Sequence, residues 1–253
     1  MLLGHSFAMT VGGGGASFDP APVIEDAISF AILAGADPAV FLTAGLEWES
    51  GERVLVASSF GSTSVALSED PAGSTDDTAD LIADIEVGHE FYLHEVTVNG
   101  GALDAGISYN LAGASRGCWI GMSISGMAAS TDGYTTPAEN SGSSGSRPIS
   151  ATFNVPDGPR RFKAVAVMSI LGAHVAFPPD PPAGYTLVAT PIASTSNNPG
   201  LTSRSTLAVA VREYDPSELA WPAGVAAVPQ ADWLGLEDWS TQAWHTYHFA
   251  VLS

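Results

Sequence analysis

A chain of 253 residues with 45% hydrophobic content has enough apolar material to bury its own core, which argues against a disordered linker or tail. Acidic residues outnumber basic ones 27 to 8, for a net charge of −19. Nucleic acid is therefore a poor partner, because tracking phosphates needs clustered Lys and Arg, and the one cluster here is Arg160, Arg161 and Lys163. An acidic exterior of this size suits a saline or crowded setting. Cys118 is the single cysteine, so no intrachain disulfide framework and no cysteine-based zinc site is expected. The first residues lack the basic start and continuous apolar core of a signal peptide, and no apolar run reaches the roughly 18 residues of a membrane helix, so no membrane span is expected.

Residues 1–22 combine a short apolar start, four glycines at 12–15 and a DPAP segment, which reads as an irregular arm. Residues 23–253 read as one domain, with a two-lobe division near 139–148 as the alternative. Between Ile24 and Leu46 two patterns compete. Ile24, Ala27, Ile28 and Ala31 have helical spacing, whereas two apolar runs flanking Ala36–Asp37–Pro38 resemble a hairpin, the preferred reading. Short strands follow at 53–58 and 64–67, then an acidic loop. A brief helix is predicted over 78–86, with Asp76 or Asp77 as its cap. Strands at 91–98 and 107–111 bracket Asn99–Gly100, a hairpin signal with a longer loop.

In 118–127, Cys118, Ile120, Met122 and Ile124 alternate with Trp119, Gly121, Ser123 and Ser125. The same period runs through 149–155, and both segments read as half-buried strands. Residues 139–148 are rich in Ser and Gly and are read as a surface loop rather than a linker. Phe162–Leu171 is apolar on both faces, which predicts a central strand covered on both sides, and Leu207–Tyr214 is similar. Residues 244–253 form a last strand. Together these elements predict an all-β fold: an antiparallel β-sandwich or jelly-roll-like domain with at most short helices.

Motifs with chemical content weaken on inspection. His89 and His94 lie five residues apart, and on a strand an odd separation sends them to opposite faces, so they do not make a zinc pair. Gly113-Ala114-Ser115-Arg116-Gly117 matches the nucleophile-elbow pattern, yet a strand-like segment follows where a helix belongs. A hydrolase built on Ser115 with His174 is accordingly a minor reading. Glu69, Asp70, Asp76, Asp77 and Asp80 offer oxygens for calcium without EF-hand spacing, and a solvated loop is preferred. No catalytic residue, metal site or cofactor is assigned. Trp221, Trp233, Trp239 and Trp244 are candidate aromatics for a core or subunit interface, preferred over a sugar platform.

One stretch carries a family resemblance. Pro181, Pro182, Gly184, Tyr185 and Thr186, followed by a loop and a strand ending in Arg212 and Tyr214, resemble segments of β-sandwich structural proteins of tailed bacteriophages and gene-transfer-agent-like particles. The strand pair around 96–111 and 118–127 is similar to theirs as well, so the likeness spans about the latter two thirds of the chain. Tyr185 stands where their turn usually carries Trp. The resemblance implies a non-enzymatic virion component, in head or tail, assembled in the host cytoplasm as a homo-oligomer with other virion proteins. A carbohydrate- or receptor-binding module of a fibre or spike, with a cell-surface glycan as partner, is the alternative.

Overall fold

A computed structural model describes residues 18–32, 39–40, 53–60, 65–68, 78–85, 90–97, 108–111, 117–143, 146–172, 179–193, 204–234 and 243–253. The first half holds β1 (Val23–Ile32), β2 (Ala39–Val40), β3 (Arg53–Phe60), β4 (Val65–Ser68), β5 (Thr78–Ile85), β6 (Glu90–Thr97), β7 (Ser108–Leu111) and β8 (Gly117–Ser125). Next come β9 (Ala138–Gly142), β10 (Ile149–Ser150), β11 (Phe153–Val155) and β12 (Phe162–Gly172). The last are β13 (Thr186–Leu187), β14 (Ile192–Ala193), β15 (Arg204–Tyr214), β16 (Ala226–Val228), β17 (Ala231–Asp232) and β18 (Ala243–Leu252). The only helical segments among the described residues are three short 3-10 turns. The protein is all-β and its strand pairs are antiparallel.

Two main sheets form the sandwich. One has five strands in the order β1-β8-β3-β6-β5, the other the path β13-β15-β12-β18-β9 with β14 also on β15. The alternation in Phe162–Leu171 explains why β12 sits at the centre. Val165 and Val167 point into the inter-sheet core with Leu207, Val209, Tyr247 and Phe249, facing Leu55, Phe91, Leu93, Ile120 and Met122 of the five-stranded sheet. Phe91 stacks on Tyr247 with centroids 4.3 Å apart, and the Tyr247 hydroxyl donates to the Phe91 carbonyl at 2.7 Å. Fully burying such side chains stabilises by roughly 1.5–3 kcal/mol each.

The other face of β12 presents Ala164, Ala166, Met168 and Ile170 to a second core with Ala208, Ala210, Phe153, Val155, Val228 and Trp233. Its cover is made by the small pairs β10–β17 and β11–β16. A third layer thus lies outside the six-stranded sheet, which is why its central strands carry no polar face. Three further strands pair as β2-β7-β4.

Several sequence expectations are corrected. Residues 78–85 form strand β5, not a helix, paired to β6 with a bulge between Leu81 and Ala83. Helix propensity is a weak prior, and the ladder with β6 together with burial of Ala83 overrides it. Of the expected 24–46 hairpin, β1 pairs with β8 and β2 with β7, and 33–38 and 41–46 lie outside the described residues. Likewise β6 belongs to the five-stranded sheet and β7 to the three-stranded one. β8 is buried on both faces, Trp119 and Ser123 included, rather than half-buried. The 149–155 strand breaks into β10 and β11, which pair with β17 and β16 respectively. The 139–148 segment is not all loop, since 138–142 is β9, hydrogen-bonded to β18. Of the arm, 18–22 is irregular with Ala21 and Pro22 buried, and 1–17 lie outside the described residues.

Candidate binding groove

The tryptophans singled out in the sequence do not gather at one surface. Trp233 is fully buried and its indole Nε1 donates to Ser150 Oγ at 3.3 Å. Trp244 is buried, donates to the carbonyl and hydroxyl of Ser146, and fills the space that Gly142 leaves open. Trp221 is half-buried against the second core, with its Nε1 on the Pro216 carbonyl at 3.0 Å. Trp239 lies outside the described residues, as do His89, residues 113–116 with Ser115, His174 and Glu69, Asp70, Asp76 and Asp77. Asp80 falls on β5. His94 is buried on β6, and no group of three metal-binding side chains occurs among the described residues.

The resemblance residues, by contrast, converge. Tyr185 N–H donates to the Pro182 carbonyl, closing a turn in which Gly184 has φ +80°, a conformation that favours glycine. An added Cβ there would sit 3.2 Å from the Arg212 guanidinium. Arg212 lies over the Tyr214 ring at 4.3 Å and pairs with Glu218 at 2.7 Å. Glu218 in turn accepts from the Asp215 N–H, which together with the Arg212 pair holds its carboxyl below the usual range.

Beneath them Tyr185 meets His248. His248 Nδ1 is 2.6 Å from the Ala151 carbonyl, which only accepts, so Nδ1 carries the proton and Nε2 accepts from the Tyr185 hydroxyl at 2.7 Å. Burial pushes His248 down to about 4 against the pull of that carbonyl, so the ring is neutral near pH 7. Tyr185→Phe strands Nε2 in a dry site and should cost about 1–3 kcal/mol in urea unfolding. A loss below half a kcal/mol would show that the pair contributes nothing. A second buried polar group links the sheets: Ser59 Oγ bonds to Ser205 Oγ and, at 2.6 Å, to Ser169 Oγ, with Cys118 Sγ 3.5 Å from the Ser205 carbonyl. All four side chains are fully buried, which gives them a packing role.

The open chemistry lies at one end of the sandwich. The segment after β8 is fastened to β18 by Ala128 N–H on the Leu252 carbonyl, Thr135 N–H on the Ala250 carbonyl, and the returning Ala250 N–H on Thr135 Oγ1. Arg53 and Glu95, a buried ion pair, support it from below, since Arg53 Nη1 also donates to the Ala128 carbonyl. Against this wall stands the loop after β11. Its Gly158 N–H donates to the Gly224 carbonyl at 2.7 Å, and Asp157 is held at φ 67°. Between wall and loop runs an open groove of about 910 Å³, lined by Asp132, Tyr134, Asn154, Asp157 and Arg160, with the buried Phe153 and Leu252 also at its border.

Sequence reasoning named Arg160 only as part of a basic cluster and missed the others. The turn signal at Asp157–Gly158 is visible, but nothing local says that residue 132 will stand opposite it, because that proximity is made by β18. Compared with family models, with curated proteins and with solved structures, the chain matches none.

Proposed function

We propose that this chain is a non-enzymatic structural protein of a tailed-phage-like particle, a head or tail component that acts by assembling with copies of itself and with other virion proteins. The observation that carries the reading is the convergence of Gly184, Tyr185, Arg212 and Tyr214, the residues of the resemblance, into one packed turn-and-strand cluster. Such a cluster is a scaffold element, expected to persist where the fold itself is the product. The acidic exterior fits this role by limiting non-specific association between subunits. Among the described residues the alternative sugar platform at the C-terminal tryptophans finds no support, since the Trp233 and Trp244 rings are buried and Trp221 packs against the second core.

The test is the oligomeric state by light scattering at tens of micromolar, for the full chain and for one lacking residues 1–17, which keeps the buried Ala21 and Pro22. A defined oligomer is expected of the full chain. Monomers from both would sink the assembly reading, while loss of the oligomer in the truncation alone would place the docking element in the arm.

A further inference from the structure

We propose that the groove between the 128–136 wall and the 154–160 loop is a binding site for a neutral saccharide, gripped through vicinal hydroxyl groups by Asp157 and Arg160. The proposal is independent of the assembly role and uses a different part of the molecule from the tryptophans.

Volume comes first. About 910 Å³ lies within the range of small-molecule sites, roughly 300–1,000 Å³. Asp157 and Arg160 also line an adjoining depression of about 250 Å³ beside Phe18 and Asp19, so they stand at the junction of two neighbouring hollows.

The available hydrogen-bonding groups narrow the class. Arg53, Arg161, Lys163 and Arg212 each hold a carboxylate. Arg160 is half-buried in the groove and, among the described residues, holds none, although the chain carries 27 acidic residues. Asp132, Asn154 and Asp157 side chains are exposed and likewise make no hydrogen bond among the described residues. A carboxylate accepts two O–H donors and a guanidinium offers parallel N–H donors, so the pair matches a diol, whose hydroxyls both donate and accept. Asp19, Asp132 and Asp157 together with the net charge of −19 disfavour phosphate, sulfate or a sialylated ligand, and the guanidinium among them disfavours a basic peptide.

Backbone geometry adds a second line. Asp157, at φ 67°, and Ala223, at φ 52°, are the only non-glycine residues with positive φ among the described residues, and they flank the Gly158–Gly224 hydrogen bond that joins their loops. Strain held by its surroundings is a mark of functional loops, and the Gly158–Gly224 bond holds the backbone that carries Asp157 in one place.

The full chain, applied to a printed array of neutral and sialylated oligosaccharides and then titrated calorimetrically with the neutral one that responds most, is expected to show saturable binding. Asp157→Asn, which keeps a residue tolerant of the left-handed backbone, and Arg160→Ala should each weaken it at least tenfold without a change in melting temperature. Asn154→Ala, an exposed change, serves as a further variant if either of these lowers the melting temperature. No saturable binding to any neutral oligosaccharide, binding to sialylated ones alone, or affinity unmoved in folded variants would overturn the proposal. None of these readouts depends on whether the chain assembles into particles.

Discussion

Glu95→Ala should lower the unfolding free energy by about 3–5 kcal/mol, because it leaves the Arg53 guanidinium buried without its counter-charge. The Arg53 and Glu95 side chains are only 11% and 6% exposed, so water does little to compensate. The arginine is also boxed in. Its guanidinium lies 5.6 Å from the Tyr134 ring centre, its Nη1 holds the Ala128 carbonyl, and a Cβ on Gly133 would run into it. The stranded charge therefore has to push the 128–134 wall outward to reach solvent, and the groove should open with it. Replacing both partners by apolar residues, Arg53→Met with Glu95→Leu, removes the charge altogether and should recover much of the loss. Urea unfolding of the single and double variants decides the matter. A single-variant cost below about 1 kcal/mol, or a double variant worse than the single, would mean that the pair is not what holds the wall.

Acid should destabilise the fold well before its carboxylates titrate. Burial lowers both His94 and His248 to about 4, from an ordinary value of 6.5. As pH falls through 6.5 the unfolded chain takes up protons that the folded chain refuses, so stability is complete above 6.5 and declines until about 4, where the folded rings protonate as well. Each histidine contributes a slope approaching 1.4 kcal/mol per pH unit within that window, about 3 kcal/mol in all. Denaturation midpoints between pH 7.5 and 5 measure it, and His248→Gln should reduce the slope by about one proton. A flat profile over that interval would show that neither ring is held neutral.

What was legible in the sequence follows from period two. The segment 162–171, apolar on both faces, could only be a strand with cover on both sides, and β12 lies between two cores for that reason. The alternation in 207–211 split in the same way, with Leu207 and Val209 to one core and Ala208 and Ala210 to the other. Where periodicity was weak, the partner decided. Residues 78–85 carry enough Ala, Asp and Leu to suggest a helix, but the open edge of β6 made them a strand. Turn signals misled in one consistent way, since they marked where the chain bends but not which strand it bends towards. β1 pairs with β8 far along the chain, and β6 pairs with its own predecessor β5 and with β3 rather than with β7.

The groove was illegible for the same reason. Asp132 and Asp157 line one groove only because Thr135 is bonded to β18 and because the loop after β11 is tied to Gly224. The sequence by itself determined that the chain is all-β and antiparallel, and that 162–171 and 207–211 lie between two cores, because side-chain alternation is a local property that burial reads directly. Only the tertiary structure decided strand order, the third layer, the fate of the tryptophans and the bringing of Asp132 to the groove that Asp157 and Arg160 line. Those depend on pairings between segments well separated along the chain, such as β11 with β16 and Tyr134 with Val251, and no local pattern encodes them.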